Sequence, residues 1–329
     1  MRRLAISLAL AVFVSTAMPA RSRADTYNFS TITNPNDTAF DQLLGINDSG
    51  VIAGYYGDGT VVPNNGFTLT LNPIVFTPEN YPNSAQTQVI GINGAGNTDG
   101  FYIDQNGVTH GFTDFGGVFA TVDNPNPTSV LTQLLGLNAL GSAAGYWQNA
   151  AGTQFPFIEL GGSFTGLDKK LPANTMAQAT GIDDGGVVSG FYVDAGGNTH
   201  GFILAGSKVT TLDFGNDTNT TALGINNNGQ VVGTFVDAAG MHGYLYNSVT
   251  GAFTQIDDPN GINSSGLDTT TVNGLNNLGQ LVGFYVDANG NTDGFTATPT
   301  PEPSAWLLMI TALGIVAYLK MGRRSPSGA

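Results

Sequence analysis

Asp287, Asn289, Asn291 and Asp293 place an oxygen-bearing side chain at every second position, the alternation that a hard cation such as Ca²⁺ asks of a loop. The run lacks the closing glutamate and the sixth-position glycine of an EF-hand loop, and a plain hairpin turn draws on the same residue types. Related runs stand upstream at Asp104 to Gly107, Asp194 to Gly197 and Asp237 to Gly240. Ca²⁺ at residues 287–293 is the one cofactor the sequence suggests.

The three histidines, His110, His200 and His242, occupy the same place in three repeated segments, each followed by Gly-Phe or Gly-Tyr. A catalytic or metal site gathers unlike residues at one point, whereas these are spread over three copies, so the reading is packing or hydrogen bonding within each copy. Cysteine is absent, which excludes thiol nucleophiles, thiolate zinc sites and disulfides. No phosphate-binding loop, Gly-x-Ser-x-Gly elbow or metalloprotease motif is present, and no catalytic residue is assigned.

Six short polar side chains recur at equal intervals: Asn47, Asn93, Asn138, Asp183, Asn226 and Asn276. Each precedes a glycine-containing turn, where a short amide or carboxylate bonds the backbone two residues on. On strands lining a central channel they would also form a polar ring at its mouth. Tyr55, Tyr56, Tyr102, Tyr146, Trp147, Tyr192, Phe235 and Tyr285 recur one strand later and are read as packing between repeats, with some offering faces on which sugars stack.

Charge narrows the partners. Between residues 25 and 300 the chain has Lys169, Lys170 and Lys208, no arginine, and 23 of its 24 carboxylates. Such a span cannot neutralise a phosphate backbone, so nucleic acid is excluded as a partner. Cations, neutral glycans and basic proteins remain.

The scaffold is a repeat. Leu-Gly-Ile-Asn or a near copy has its glycine at positions 45, 91, 136, 181, 224 and 274, steps of 46, 45, 45, 43 and 50 residues. Each unit reads as four short β-prone segments separated by turn residues, and 46 glycines in 329 residues suit tight turns rather than helices. The sixth unit stops after its third segment, Thr292 to Thr298, while the span opens at Tyr27 to Thr33 with a fourth-segment sequence. A ring clasped by strands from both ends needs this offset, because closure removes exposed sheet edges. The fold expected for residues 25–298 is therefore all-β, a six-bladed β-propeller closed by an N-terminal strand. A right-handed β-solenoid is the alternative, though its usual repeat is shorter.

The ends read differently. Residues 1–24 carry Arg2 and Arg3, an apolar run and small residues, the layout of a cleaved signal peptide, with an N-terminal signal helix expected. Residues 299–329 hold Pro301, Glu302 and Pro303, an uncharged run from Ala305 to Leu319, then Lys320, Arg323 and Arg324. A hydrophobic helix of that length spans about 22 Å, short of a roughly 30 Å bilayer core, so any membrane association would be transient or helped by flanking residues.

This tail resembles the PEP-CTERM sorting signal, in which Pro-Glu-Pro, a hydrophobic helix and a basic end follow one another. The resemblance implies processing by an exosortase-type enzyme near Pro301 to Pro303, and export across the inner membrane to the cell surface, outer envelope or extracellular matrix of a Gram-negative bacterium making exopolysaccharide. The repeats, over about residues 27–298, resemble the HAF family of extracellular repeats, with His110-Gly111-Phe112, His200-Gly201-Phe202 and His242-Gly243-Tyr244 standing for its His-Ala-Phe. That resemblance implies fold and export more than activity.

The function expected is a secreted, non-catalytic binding or structural propeller associated with exopolysaccharide or another glycan. The competing class is a glycan hydrolase or lyase on the same scaffold. Two carboxylates about 5–10 Å apart in a deep pocket would favour the enzyme, and a ring of amides the binding module.

Overall fold

The computed structural model describes residues 27–215 and 219–300. The expected signal helix, the hydrophobic tail helix and the sorting residues Pro301, Glu302, Pro303, Arg323 and Arg324 lie outside the described residues. Within them the chain forms six antiparallel sheets around an axis, a six-bladed β-propeller. The innermost strands are Asp41–Ile46, Gln86–Ile92, Ser129–Leu137, Met176–Ile182, Thr220–Ile225 and Thr271–Leu275, defining blades 1 to 6. In blades 1 to 5 the next three segments of the same repeat follow outward in order. Such antiparallel meanders are not the rungs of a solenoid.

Blade 6 draws its outer strand from the other end of the chain. Tyr27–Ile32 pairs antiparallel with Thr292–Pro299, from Tyr27 opposite Pro299 to Ile32 opposite Gly294. Phe29 packs on Phe295 at 5.6 Å, and the Thr31 hydroxyl meets the Tyr285 hydroxyl at 2.9 Å. The closure expected from the displaced segment is the one observed.

Every inner strand carries a β-bulge at the same point, just before its repeat glycine. The bulge turns residues 44, 90, 135, 180, 223 and 273 into the channel and presses the glycines against the next blade. A β-carbon on Gly136 would lie 2.9 Å from both the Gly181 Cα and the Thr180 carbonyl oxygen. Only a residue without a side chain lets six strands meet that closely.

A second glycine in each blade lies against a buried ring. One large ring per blade, Phe67, Phe112, Phe157, Phe202, Tyr244 and Phe295, is at most 1% exposed. Second-strand glycines make room for it: a β-carbon on Gly54 would stand 3.0 Å from the Phe67 ring. Each such ring contributes about 1.5–3 kcal/mol through burial, so the glycine-then-aromatic pattern records one packing unit repeated six times.

Candidate functional site

The axial channel has two unlike mouths and an apolar waist. At one mouth the six polar side chains meet. Asn47 Oδ1 accepts hydrogen bonds from the Ser49 and Val51 amides at 3.0 Å, the expected turn role, and the other asparagines repeat it. The sequence reading missed the other half of each amide. Asn47 Nδ2 donates to the Asn93 carbonyl (3.0 Å), Asn93 to Asn138 (3.1 Å), Asn138 to Asp183 (2.9 Å), Asn226 to Asn276 (2.9 Å) and Asn276 back to Asn47 (3.0 Å). Five of the six blade joints are thus stitched by one buried amide. The sixth, from Asp183 to blade 5, lacks the stitch because a carboxylate has no hydrogen to donate.

The next residue along supplies a second tier. Asn277 N and Nδ2 donate to the two oxygens of Asp48 at 2.8 Å each. Asp184 accepts from Ala139 N at 2.8 Å and from Asn227 Nδ2 at 2.7 Å, while its own amide donates to Asn227 Oδ1 at 2.9 Å. Blades 4 and 5, joined by no first-tier stitch, are therefore held by two bonds in the second. Asp48 and Asp184 are thus committed to the blade joints, while Asp183 Oδ1 accepts the Val187 amide of its own turn at 2.8 Å. Burial, with the Asp184 charge adding to it, raises the Asp183 carboxyl above its ordinary range against hydrogen bonds from Val187 and Gly185.

The waist is a ring of Leu44, Ile90, Leu135, Thr180, Leu223 and Asn273 above the glycines. Its two polar members bond the next blade, Thr180 Oγ1 to the Ala222 carbonyl at 2.8 Å and Asn273 Nδ2 to the Leu43 carbonyl at 3.2 Å.

At the opposite mouth four glutamines, Gln42, Gln88, Gln133 and Gln178, stand three residues before their repeat glycines and line a cavity of about 280 Å³ with Tyr55 and Phe101. Each faces the residue paired with it on the second strand: Tyr55, Phe101, Tyr146 and Phe191. Tyr55 OH donates to Gln42 Oε1 at 3.0 Å and Tyr146 OH to Gln133 Oε1 at 2.7 Å. Those bonds fix the amides and leave Gln42 Nε2 and Gln133 Nε2 with no acceptor among the described residues. Burial pushes the Tyr146 hydroxyl up to about 12, so it stays a donor at every physiological pH. Gln88 and Gln178 bond sideways to Asn64 and Gln154. Among the described residues lining this mouth there is no carboxylate or imidazole.

The expected cation loop closes as a turn. Asp287 Oδ1 accepts the Asn289 and Asn291 backbone amides at 2.8 and 2.9 Å, and Oδ2 accepts their side-chain nitrogens at 3.0 and 3.2 Å. Asp293 stands in the following strand opposite Tyr285. A Ca²⁺ ion here would need both amides turned over to offer oxygens.

The histidines hydrogen-bond within their own blades, as expected, but through carboxylates the sequence reading did not connect to them. His110, His200 and His242 each direct Nδ1 to the aspartate that closes the blade (Asp123, Asp213, Asp257) and Nε2 toward the one that opens the hairpin (Asp104, Asp194, Asp237). Each also stacks on Tyr102, Tyr192 or Phe235 at 5.0–5.1 Å. Burial disfavours the charged His200 ring, but the hydrogen bonds it donates to Asp213 and Asp194 outweigh that and raise the imidazole above its usual value. The Asn198 side chain and amide hold Asp194 down to about 2.

No protein-family model matches the chain, and no curated protein matches it. Similar solved structures include a fungal lectin of Aleuria aurantia described as a six-bladed β-propeller with a novel fucose recognition mode (TM-score 0.48, 12% identity, 82% of this chain and 100% of that one). The β-propeller domain of the Trilobed protease from Pyrococcus furiosus gives 0.45 and 11%, covering 80% and 99%. TolB from Acinetobacter baumannii gives 0.49 and 11%, covering 77% of this chain and 64% of that one. Identity this low says nothing of a shared ligand.

Proposed function

We propose that this chain is an exported, non-catalytic propeller that binds an uncharged polar chain, extracellular polysaccharide foremost, at the glutamine-lined mouth. The observation that supports the reading is the group of four amides beside aromatic faces, two of them held by tyrosine hydroxyls and two by neighbouring amides. Amides supply donors and acceptors in fixed directions, and rings stack on the apolar face of a sugar. A ring of side chains without charge suits a neutral ligand, and the acidic surface repels polyanions.

The competing hydrolase or lyase needs a free acid and base. At the other mouth Asp48 and Asp184 are engaged by neighbouring blades and Asp183 by the Val187 amide of its own turn, which favours binding over catalysis.

Both ends of the described chain leave from the asparagine face: Pro299 packs beside Gly279 of the first hairpin in blade 6, and Tyr27 pairs with Pro299. A sorting tail beginning at Pro301, with its exosortase-type partner and transient membrane contact, would therefore hold that face toward the envelope and present the glutamine mouth outward. Localisation at the cell surface or in the matrix follows from that tail and remains part of this proposal.

A glycan array combined with a hydrolysis screen tests the reading. Neutral polysaccharides should bind without release of reducing ends. Gln133→Ala and Phe101→Ala should each weaken binding roughly tenfold, the loss of one buried hydrogen bond or one stacking face. Asn228→Ala at the far mouth should leave it unchanged. Released product, or binding indifferent to Gln133 and Phe101, would contradict it.

A further inference from the structure

We propose that blade 5 holds a divalent metal ion of the zinc class between His242 Nδ1 and the carboxylates of Asp257 and Asp268. The site is remote from the channel and does not depend on glycan binding.

Blades 2, 4 and 5 share a histidine flanked by two aspartates, so each is a control for the others. Among the described residues, only blade 5 brings up a third carboxylate, Asp268, whose Oδ2 lies 4.0 Å from His242 Nδ1, with Asp257 Oδ1 at 3.1 Å. One donor atom from each of the three residues lies within 4.8 Å of the others. Four-coordinate zinc with bonds of about 2.0–2.2 Å sets its donors roughly 3.3–3.5 Å apart, so these distances suit an ion at their centre.

Asp268 is delivered on purpose-built backbone. The step from blade 5 to blade 6 is the longest of the five, and the added chain forms a two-residue strand, Asp268–Thr269, parallel to Gly240–Met241. The Asp268 amide donates to the Ala239 carbonyl at 2.9 Å, and Gly240 (φ +135°) leaves no space for a side chain against the Asp268 backbone. The histidine is also more enclosed than its counterparts: the His242 side chain is 3% exposed, against 22% for His110 and 18% for His200.

The tautomer carries the inference further. His242 Nε2 lies 3.1 Å from Asp237 Oδ1, and a proton on Nε2 satisfies that carboxylate. Nδ1 then turns a lone pair toward Asp257 and Asp268, an encounter of acceptors. A carboxylate on the far nitrogen that fixes the near one for an ion is the usual outer partner of a zinc-bound histidine. Gln255 Nε2 reaches this point, 3.0 Å from Nδ1 and 2.7 Å from Asp257 Oδ2, but an amide supplies hydrogen without charge. One nitrogen and two carboxylate donors suit zinc better than calcium, which takes six or more oxygens.

Isothermal titration of the chelator-treated full chain with ZnCl₂ and with CaCl₂ tests this, using Asp268→Asn and, as control, Asp213→Asn in blade 4. Circular dichroism confirms folding, which the retained backbone bonds of residue 268 favour. One zinc per chain is expected, with Kd raised at least about tenfold in Asp268→Asn and unchanged in Asp213→Asn. Absence of stoichiometric zinc, equal affinity in wild type and Asp268→Asn, or one-for-one displacement by calcium would overturn the assignment.

Discussion

Gly274→Ala is expected to lower the unfolding midpoint by roughly 6–12 °C, the equivalent of about 3 kcal/mol in a domain of this size. A β-carbon at this position runs into the Leu44 carbonyl oxygen and comes within 3.2 Å of the Gly45 Cα. Both obstacles are backbone of blade 1, so no side chain can rotate away and two blades must part. That joint also carries the Asn276 to Asn47 stitch, the Asn277 to Asp48 pair and the Asn273 bond to Leu43, all of which lengthen together. Gly94→Ala is the internal control, since nothing lies within 4 Å of a β-carbon there and its φ is ordinary. A thermal melt showing equal midpoints for the two variants would remove the glycine ring from the account.

Acid should stabilise this protein, and Asp99 is a principal cause. It is fully buried between blades 2 and 3, at a position filled by Ala53, Ala144, Ser189, Val232 and Val282 in the other blades. Burial pushes its carboxyl up to about 7, with Glu159 adding to the rise, against hydrogen bonds from the Gly91 and Gly136 amides. Asp41, at the joint between blades 6 and 1, is raised to about 7 by burial as well, opposed by the Gly294 amide. From about pH 4 to 7 the folded chain keeps protons that the unfolded chain releases, so stability falls as pH rises through that window. A rise from 3.8 to about 7 corresponds to a penalty on the order of 4 kcal/mol at and above neutrality for a site this buried.

Asp99→Ala should therefore flatten the dependence. Urea unfolding at pH 4.5 and pH 8 should show the variant less stable than wild type in acid, where it loses the bond to the Gly91 amide, and more stable in base, where it sheds the buried charge. Parallel curves for the two proteins would contradict this.

The architecture was legible because it is written locally and six times over. The step between repeat glycines, the four β-prone segments of each unit, and the displaced fourth segment at Tyr27 were enough to reach a closed six-bladed ring. The turn role of Asn47 and its equivalents was legible for the same reason, since Oδ1 bonds backbone two and four residues on. Its amide nitrogen was not, because the acceptor lies 46 residues away in the next blade. The glutamine ring left a signal that went unread: Gln42, Gln88, Gln133 and Gln178 all precede the repeat glycine by three residues. The surroundings of His242 left almost none, because Asp237, Asp257 and Asp268 converge only through the strand pairing of blade 5 and an extended connection.

Closure of the circle by the first described strand underlies everything else, and the absence of native cysteine makes it directly measurable. Asn28 and Thr298 are exposed partners across the closing pair. In the double variant Asn28→Cys, Thr298→Cys, mild oxidation should consume both thiols in a monomer and stabilise it by about 2–4 kcal/mol, since the bridge spans nearly the whole described chain. Two thiols that stay free in the folded monomer, or that join only between molecules, would show that the ring is not closed there.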